Sequence, residues 1–380
     1  MIKEMIDKLI KKQELDKNEV KYICSQIENN EFDEIQLSSL LVALQSKGVS
    51  SDELTYFVDE MMSKAVLIEK NASEEYKDCI DLCGTGGDKT SSISTFNIST
   101  ATVFVVAACD VKIAKHGNRS VSSKSGSVDV LEALGINISL DEEKAEICFN
   151  KTGIRFLYAC KHHPVMKNIS TVRKRLGIKT IFNMIGPLLN PANVEKQLLG
   201  VFDPKLTELF AMVLKRKDVK RAMVVHGNSL DELTITGKTK ITELNNGKID
   251  TYEFDPFDNS IGICNSTNKS TENDFKYGTL EELRADTKED SAQIIKDIFS
   301  GKKTDRKDIS RRNIVVLNSA AALIIAGKVS NFKEGIEMAK QVIDSGKVLD
   351  KLNQVIEITS SNSYQVISKV KQDKEMVSYG

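Results

Sequence analysis

The chain has 380 residues, and its 53 Lys and Arg against 54 Asp and Glu give a formal charge of −1. With 41% hydrophobic and 28% charged residues, the composition is that of a globular protein and excludes a disordered, collagen-like or coiled-coil chain. The near-zero charge argues against a general nucleic-acid binder. The longest apolar run, at 101–109, is far shorter than the ~20 residues of a membrane span.

The seven cysteines are scattered and odd in number, so we expect no disulfide framework. The spacing of Cys79 and Cys83 fits a metal ligand pair, but no second pair follows, which disfavours a zinc site. The first residues lack the apolar core of a signal peptide. Together these features predict a cytoplasmic protein.

The first 66 residues carry apolar side chains at three- and four-residue spacing, which predicts helices. Asp16 with Glu19, and Ser50 with Glu53, have the spacing of capping boxes, in which each side chain bonds the other residue's backbone N–H. This part of the chain is predicted to be a small helical domain, and sequence alone leaves open whether it also forms a dimer interface.

From about residue 78 short apolar strands alternate with helices, which predicts an α/β fold with a largely parallel sheet. The predicted strands are 79–83, 111–114, 154–159 and 223–226, and the predicted helices are 98–108, 127–134, 289–300, 313–326, 332–345 and 347–357. Residues 241–280 suggest an antiparallel excursion, and a further strand is predicted in the tail from Ser360.

A glycine-rich loop, GTGGD at 84–88, follows the first predicted strand. Glycine lets backbone N–H groups approach an anion without a Cβ in the way. Asn97 to Thr100 then opens an apolar helix, whose N-terminus suits a phosphate group. The loop matches neither the dinucleotide-binding nor the P-loop pattern. The two segments together suggest a different phosphate site, although a plain turn has the same composition.

The segment 115–127 has three cations, five small hydroxyl residues and two glycines directly after a strand. Such a density of donors fits a cradle for a polyanion, and the alternative is a solvated surface loop. His116 within it is a candidate catalytic residue, although a lone histidine is more often structural.

Two further groups carry charge that could act on a substrate. Asp231 and Glu232 follow a predicted strand, and adjacent carboxylates there could anchor Mg²⁺, although exposed acidic pairs are commoner. Arg173, in a segment that runs from the histidine pair 162–163 to a proline-rich turn at 187–191, could bind a carboxylate in a bidentate fork. A surface arginine paired with a glutamate is the alternative.

Taken together, these segments resemble the anthranilate phosphoribosyltransferase family. The matching segments occur in the family's order over nearly the whole chain: 83–88, 95–100, 115–135, 161–191, 197–201, 224–232 and 317–328. The resemblance implies the transfer of the phosphoribosyl group of phosphoribosyl pyrophosphate (PRPP) to anthranilate in tryptophan biosynthesis. It implies Mg²⁺ as cofactor, with two ions when PRPP is bound, and neither a nucleic-acid nor a membrane partner.

The resemblance also implies an architecture. A helical domain over 1–68, with a contribution from about 164–190, would join an α/β domain over 74–163 and 191–380, with a mainly parallel sheet. The active site would lie in the hinge cleft, and the chain would form a homodimer through the helical domain.

Site residues follow from the same resemblance. The positions expected to bind PRPP are Gly84, Gly87, Asp88, Thr95, Asn97, Ile98, Ser99, Thr100, Lys115, His116, Gly117, Asn118, Arg119, Ser120, Val121, Ser122, Ser123 and Ser127. Those expected to contact anthranilate are Gly84, Asn118, His163 and Arg173, with Arg173 on the carboxylate. Those expected to bind Mg²⁺ are Ser99, Asp231 and Glu232.

One segment departs from the family pattern, since six residues, 89–94, separate Asp88 from Thr95 where about three are usual. We expect a bulged loop beside the pyrophosphate site. Two other functions fit the same fold. A pyrimidine nucleoside phosphorylase would cleave thymidine or uridine with phosphate, and a nucleic-acid-binding relative would need a strongly basic surface and would not keep Asp231 and Glu232.

Overall fold

The computed structural model describes residues 1–68, 75–86, 93–119, 125–258 and 277–360. The chain begins with a bundle of four helices: α1 (Ile2–Ile10), α2 (Lys17–Asn29), α3 (Glu34–Lys47) and α4 (Ser51–Ser63). Both predicted capping boxes are present, at Asp16 before α2 and at Ser50 before α4. The predicted helical start of the chain is therefore confirmed, and the local cap chemistry sets where two of its helices begin.

A seven-stranded sheet follows, with the strand order β3-β2-β1-β4-β5-β6-β7. The first five strands are parallel and the last two antiparallel. The strands are β1 (Ile80–Gly84), β2 (Ile113–Gly117), β3 (Ile154–Tyr158), β4 (Lys196–Gly200), β5 (Arg221–Gly227), β6 (Thr239–Asn245) and β7 (Lys248–Phe254). The predicted α/β class, with a mainly parallel sheet and an antiparallel excursion, is confirmed.

Helices connect and cover these strands. They are α5 (Ile98–Ala108), α6 (Ser127–Ala133), α7 (Glu142–Thr152), α8 (Ala159–His162), α9 (Ser170–Leu176), α10 (Ile181–Met184), α11 (Leu206–Arg216), α12 (Lys288–Phe299), α13 (Arg306–Ala326), α14 (Phe332–Asp344) and α15 (Lys347–Ser360). By length and hydropathy α13 could cross a membrane, but 83% of its apolar window is buried inside the protein, as in a core helix.

Two apolar clusters lie on opposite faces of the sheet. Successive residues of a strand point to opposite faces, and in β5 Ala222 and Val224 join one cluster while Met223 and Val225 join the other. The first cluster also contains the core of the N-terminal bundle together with α9, α10 and α11. The helical bundle therefore packs on one face of the sheet, and two short helices from the middle of the chain belong with it.

Polar contacts also join the bundle to the sheet region. Asn168 donates hydrogen bonds to the carbonyl groups of Ile27 (2.9 Å) and Glu28 (3.1 Å), at the end of α2. On the connection out of the bundle, the N–H of Val66 donates to the carbonyl of His162 at 2.8 Å. The segment between β3 and β4 is therefore hydrogen-bonded both to the bundle and to the chain that leaves it.

Several boundaries differ from the sequence predictions. The strand predicted at 111–114 begins at Ile113 and runs to Gly117. Helix α13 begins at Arg306, seven residues before the predicted start, because Asp305 caps it there. Strand β4 was not predicted. The predicted tail strand from Ser360 and residues 259–276 of the antiparallel excursion lie outside the described residues.

Candidate active site

The acidic pair Asp231 and Glu232 lies on a loop at the carboxyl edge of the sheet. Strand β5 ends at Gly227, and a two-residue turn at 228–229 with positive φ (42° and 77°) reverses the chain. Gly227 and Leu230 then exchange backbone hydrogen bonds in both directions, each 2.9 Å. This tight hairpin turn leads the chain directly to the two carboxylates.

Glycines at three strand ends make room for this loop. A Cβ on Gly200, at the end of β4, would lie 1.5 Å from the backbone oxygen of Asp231. A Cβ on Gly84, at the end of β1, would lie 2.4 Å from Oδ2 of Asp231, and one on Gly227 would lie 2.5 Å from the backbone oxygen of Glu232. The acidic loop therefore rests directly on the backbone of the sheet, which requires residues without a side chain.

Asp231 is held on the glycine-rich loop as well. The N–H of Gly86 donates a 2.7 Å hydrogen bond to Oδ2 of Asp231. The N–H of Thr85 in turn donates to the carbonyl of Gly200 at 2.9 Å, which extends the pairing of β1 with β4 by one residue. The glycine-rich loop and the acidic loop, 145 residues apart in sequence, thus meet at one point.

Lys115 brings a cation to the same place. Its side chain is buried, and its ammonium group donates to the carbonyl of Leu82 and to Oγ of Ser99, the latter at 3.4 Å. The backbone N–H of Ser99 faces Glu232. Burial and the neighbouring charge of Asp231 raise the pKa of Glu232 to about 8, and Lys115 opposes that shift. Lys115 therefore offsets only part of the cost of placing a second negative charge beside Asp231.

The N-terminus of α5 is left open towards this site. Asn97 stands at the N-cap position, but its side chain does not cap the helix. Instead its Oδ1 accepts hydrogen bonds from Ser291 (3.1 Å) and Ser125 (3.2 Å), and its N–H donates to Oγ of Ser291 at 2.9 Å. Because the cap oxygen is occupied elsewhere, Asn97 leaves the first turn uncapped, and the N–H of Ser99 in that turn faces Glu232.

The other predicted residues of this segment contribute less. Ile98 is buried among apolar residues, so that only its backbone can reach a ligand. Thr95 forms an isolated antiparallel bridge with Arg284, which fixes the chain just before the helix. The hydroxyl of Thr100 is buried without a hydrogen-bond partner among the described residues.

Two histidine side chains pack together near the carboxyl end of β2. The rings of His116, in β2, and His163 pack edge to face with centroids 5.3 Å apart. Burial lowers the pKa of His116 to about 3, and it also lowers the pKa of His163, whose Nε2 lies 2.7 Å from the carbonyl of Leu189. His116 Nε2 and His163 Nδ1 are buried and have no partner within the part of the chain that the structure describes. Both rings are therefore neutral, and each keeps one ring nitrogen that could form a hydrogen bond with a ligand.

Behind His116 lies a buried carboxylate that sequence reasoning missed. Asp81, in β1, is fully buried and accepts hydrogen bonds from the N–H of His116 (3.2 Å) and from Nε2 of Gln197 (3.4 Å). Burial raises the pKa of Asp81, and the charge of Lys115 opposes that shift. Its position inside an apolar strand was a signal, because a buried carboxylate is expensive unless partners surround it.

The end of β2 is fixed against the start of α6. A Cβ on Gly117 would lie 2.4 Å from Oγ of Ser127, and that hydroxyl donates to the carbonyl of Asn118 at 3.4 Å. Oδ1 of Asn118 accepts from its neighbour's N–H at 2.8 Å and from the thiol of Cys160 at 3.4 Å. Asn118 therefore lies between the start of α6 and the segment that carries His162 and His163.

Arg119 makes ion pairs with α6. Its guanidinium group contacts Asp129 at 3.1 Å and Glu132 at 2.5 Å. These carboxylates raise its pKa further above the usual value. In this arrangement Arg119 faces protein carboxylates, and a phosphate would have to compete with them.

Arg173 lies on α9, next to Val172, which packs in the cluster of the helical bundle. The guanidinium is half-buried, its Nε has no partner among the described residues, and burial lowers its pKa. A buried, incompletely paired cation is costly, and a bound anion would compensate for that cost.

Some predicted site residues lie outside the described residues: Gly87, Asp88, Ser120, Val121, Ser122 and Ser123. The same holds for 89–92 of the extended 89–94 segment. Among the described residues, no group of three or more His, Cys, Asp or Glu side chains could hold a metal ion, Cys79 and Cys83 included.

Comparison with known proteins decides the family. The glycosyl transferase family a/b domain matches residues 76–349, and the helical bundle domain of the same family matches 3–65. The chain is 46% identical to an anthranilate phosphoribosyltransferase of Acetivibrio thermocellus over 95% of this chain and 97% of that one. The chain belongs to the anthranilate phosphoribosyltransferase family.

Other relatives agree. The enzyme of that name from Petrotoga mobilis is 43% identical and covers 96% of this chain and 99% of its own. The crystal structure of the anthranilate phosphoribosyltransferase of Thermus thermophilus superposes with a TM-score of 0.79 at 30% identity, over 94% of this chain and 99% of that one. The Saccharomyces cerevisiae enzyme in complex with PRPP and Mg has the same fold, with a TM-score of 0.79 at 24% identity over 95% and 98%. The resemblance predicted from the motifs is confirmed.

Proposed function

We propose that this chain transfers the phosphoribosyl group of PRPP to the amine of anthranilate, giving N-(5-phosphoribosyl)anthranilate and pyrophosphate in tryptophan biosynthesis. The observation that carries the proposal is the meeting of the glycine-rich loop, the open N-terminus of α5, Lys115 and the pair Asp231–Glu232 at one sheet edge. A polyphosphate needs N–H donors and a cation, and a divalent metal needs hard oxygen ligands; this edge supplies both.

The residues present fit Mg²⁺. Burial and Asp231 raise the pKa of Glu232 to about 8, and a bound cation would favour the ionised form of the pair. Asp231, Glu232 and the hydroxyl of Ser99 would hold the metal, and we infer two ions when PRPP is bound. When bound, the metal supplies Lewis-acid stabilisation of the charge that develops on departing pyrophosphate.

The chain's own residues stabilise the same charge and exclude water. Lys115 and the uncapped N-terminus of α5 lie at the site before substrate arrives, and such preorganised donors act without reorganisation during the reaction. The bond from ribose C1 to the pyrophosphate breaks while the amine attacks C1. Closure of the helical bundle over the site would keep water from C1.

Anthranilate needs positioning more than activation. Its amine is an aniline, neutral at pH 7, so that its lone pair is free without a strong base. Arg173 and Asn118 would orient it, with the carboxylate on Arg173. His116 has a pKa of about 3, so at neutral pH it cannot act as an imidazolium acid; it can offer a neutral ring to the substrate. We assign no general acid or base.

The test is the loss of anthranilate fluorescence on mixing the protein with anthranilate, PRPP and Mg²⁺. We expect a rapid decrease that needs all three additions. A folded protein that leaves the fluorescence unchanged with all three present would contradict the proposal. Phosphorolysis of thymidine or uridine by the same preparation would then point to the phosphorylase alternative.

Arg173→Ala is expected to raise the KM for anthranilate by about a hundredfold, because a charge-assisted bidentate contact contributes roughly 2–3 kcal/mol. The KM for PRPP should change less than threefold. Steady-state kinetics with each substrate varied in turn measure both values. Arg175→Ala is the matched control, since Arg175 lies on the same helix but is exposed and pairs with Glu34. Equal increases in both KM values would remove the assigned role of Arg173.

We further infer a cytoplasmic homodimer that associates through the helical domain, with that domain over 1–68 and a contribution from 164–190. Two exposed apolar side chains support an interface on this domain. Ile10 on α1 and Ile35 on α3 are 67% and 77% exposed, on helices that pack against each other. Light scattering after size exclusion gives the mass of the particle, and a monomer over the whole concentration range would contradict the dimer.

A further inference from the structure

A buried side chain on the longest described helix contacts the acidic loop from behind. Asn318, in the middle of α13, is fully buried. Its Oδ1 accepts the N–H of Leu233 at 3.0 Å, and its Nδ2 donates to the carbonyl of Leu233 at 2.9 Å. The same Nδ2 also donates to the carbonyl of Ile314 one turn earlier, at 2.8 Å. One amide thus pairs both backbone groups of a single loop residue and is itself fixed on its helix.

The residue that it holds is the one that follows the acidic pair. On the other side of the pair, Leu230 is fixed by its two hydrogen bonds to Gly227. Only Asp231 and Glu232 lie between these two anchors. Two residues between fixed ends have few backbone conformations, so the anchors determine where the two carboxylates point.

We propose that Asn318 is a positioning residue for the divalent-cation site, which it orders through the backbone of Leu233. The inference rests on the proposed function, since it assumes that Asp231 and Glu232 hold Mg²⁺ for PRPP. Partners that orient the ligands of a metal commonly change its affinity 10- to 100-fold when they are replaced. The amide suits the task because one side-chain end carries both a donor and an acceptor.

The test separates metal-dependent from metal-independent binding of PRPP. Calorimetric titration with PRPP, without anthranilate and therefore without turnover, is run with and without Mg²⁺. The wild-type protein should bind PRPP more tightly when Mg²⁺ is present. Asn318→Leu has a similar volume but pairs neither group of Leu233, and it should lose 10- to 100-fold in PRPP affinity with Mg²⁺ and less than threefold without it.

Asn318→Asp is the conservative variant. It keeps an acceptor for the N–H of Leu233 and loses the amide donor, so its loss of affinity with Mg²⁺ should lie between those of the wild type and Asn318→Leu. If Asn318→Leu does not fold, the PRPP affinity of Asn318→Asp with and without Mg²⁺ tests the proposal in its place. Ser319→Ala is the matched control, because Ser319 is the next buried residue of α13 and its hydroxyl donates only within the helix, to Val315 at 2.7 Å.

The proposal is overturned if folded Asn318 variants keep the wild-type response to Mg²⁺. It is also overturned if these variants lower the affinity for PRPP equally with and without Mg²⁺. The same holds if Ser319→Ala lowers the affinity as much, since either result means general damage to the core. If PRPP binding to the wild-type protein does not respond to Mg²⁺ at all, the proposed function fails before any variant is measured.

Discussion

Replacing Asp231 with Asn and Glu232 with Gln together is expected to lower kcat/KM for PRPP by about a thousandfold. Metal stabilisation of a developing charge contributes several kcal/mol, and each 1.36 kcal/mol is a factor of about ten in rate. Asn keeps an oxygen that can accept the N–H of Gly86, so the loop should stay in place. Initial rates across a range of Mg²⁺ and PRPP concentrations measure the effect.

The same double variant should be at least as stable as the wild-type protein at pH 8. Burial and Asp231 raise the pKa of Glu232 to about 8 from an ordinary value near 4.5. A carboxyl group whose pKa is raised by folding destabilises the folded state as pH rises from the unfolded towards the folded pKa, because the unfolded chain loses its proton first. Neutral side chains remove that cost. Thermal unfolding without metal therefore shows whether a loss of activity in the variant comes from a loss of stability.

A matched control removes two carboxylates elsewhere. Asp250 and Glu253 are exposed on β7, and their ion pairs within the described part of the chain are with the surface lysines Lys248 and Lys238. Asp250→Asn with Glu253→Gln changes the net charge by the same amount and should leave kcat/KM within twofold of the wild-type value. A comparable loss in this control, or a retained Mg²⁺ response in the first variant, would remove the metal role of the acidic pair.

The sequence predicts well those contacts and sites whose residues lie close together in the chain. The capping boxes at Asp16 and Ser50 act over three residues, and both are found in the structure. The sequence Lys115–His116 directly follows an apolar segment, so it could be placed near a strand end without knowledge of the fold. In these cases the spacing of residues along the chain is enough to determine the local contact.

Contacts that depend on strand order could not be predicted in this way. Strand β4 is short, and its run of Gln197, Leu198 and Leu199 shows no alternation that separates a buried strand from a turn of helix. Its place between β1 and β5 brings Gly200 against Asp231, and no pattern within either segment records that pairing. Asp81 was missed for a related reason, because its partners come from other strands.

Gly200→Ala is expected to lower kcat/KM for PRPP by about a thousandfold and the free energy of unfolding by about 2–3 kcal/mol. A Cβ at this position would lie 1.5 Å from the backbone oxygen of Asp231 and 2.4 Å from its carbonyl carbon. Backbone atoms cannot rotate away as a side chain can, so the acidic loop must leave the sheet edge, and overpacking of this kind costs up to about 3 kcal/mol. Kinetics and denaturant unfolding measure the two effects.

The size of the clash predicts an order among glycine variants, which makes the argument testable beyond one substitution. At Gly84 the added Cβ meets the carboxylate end of Asp231, which can rotate, so Gly84→Ala should destabilise the protein less than Gly200→Ala. Gly186→Ala adds the same methyl group where nothing lies within 4 Å and should leave stability unchanged or slightly raised. If Gly200→Ala retained wild-type Mg²⁺ dependence and stability, the contact between the acidic loop and the sheet backbone would not determine the position of the carboxylates.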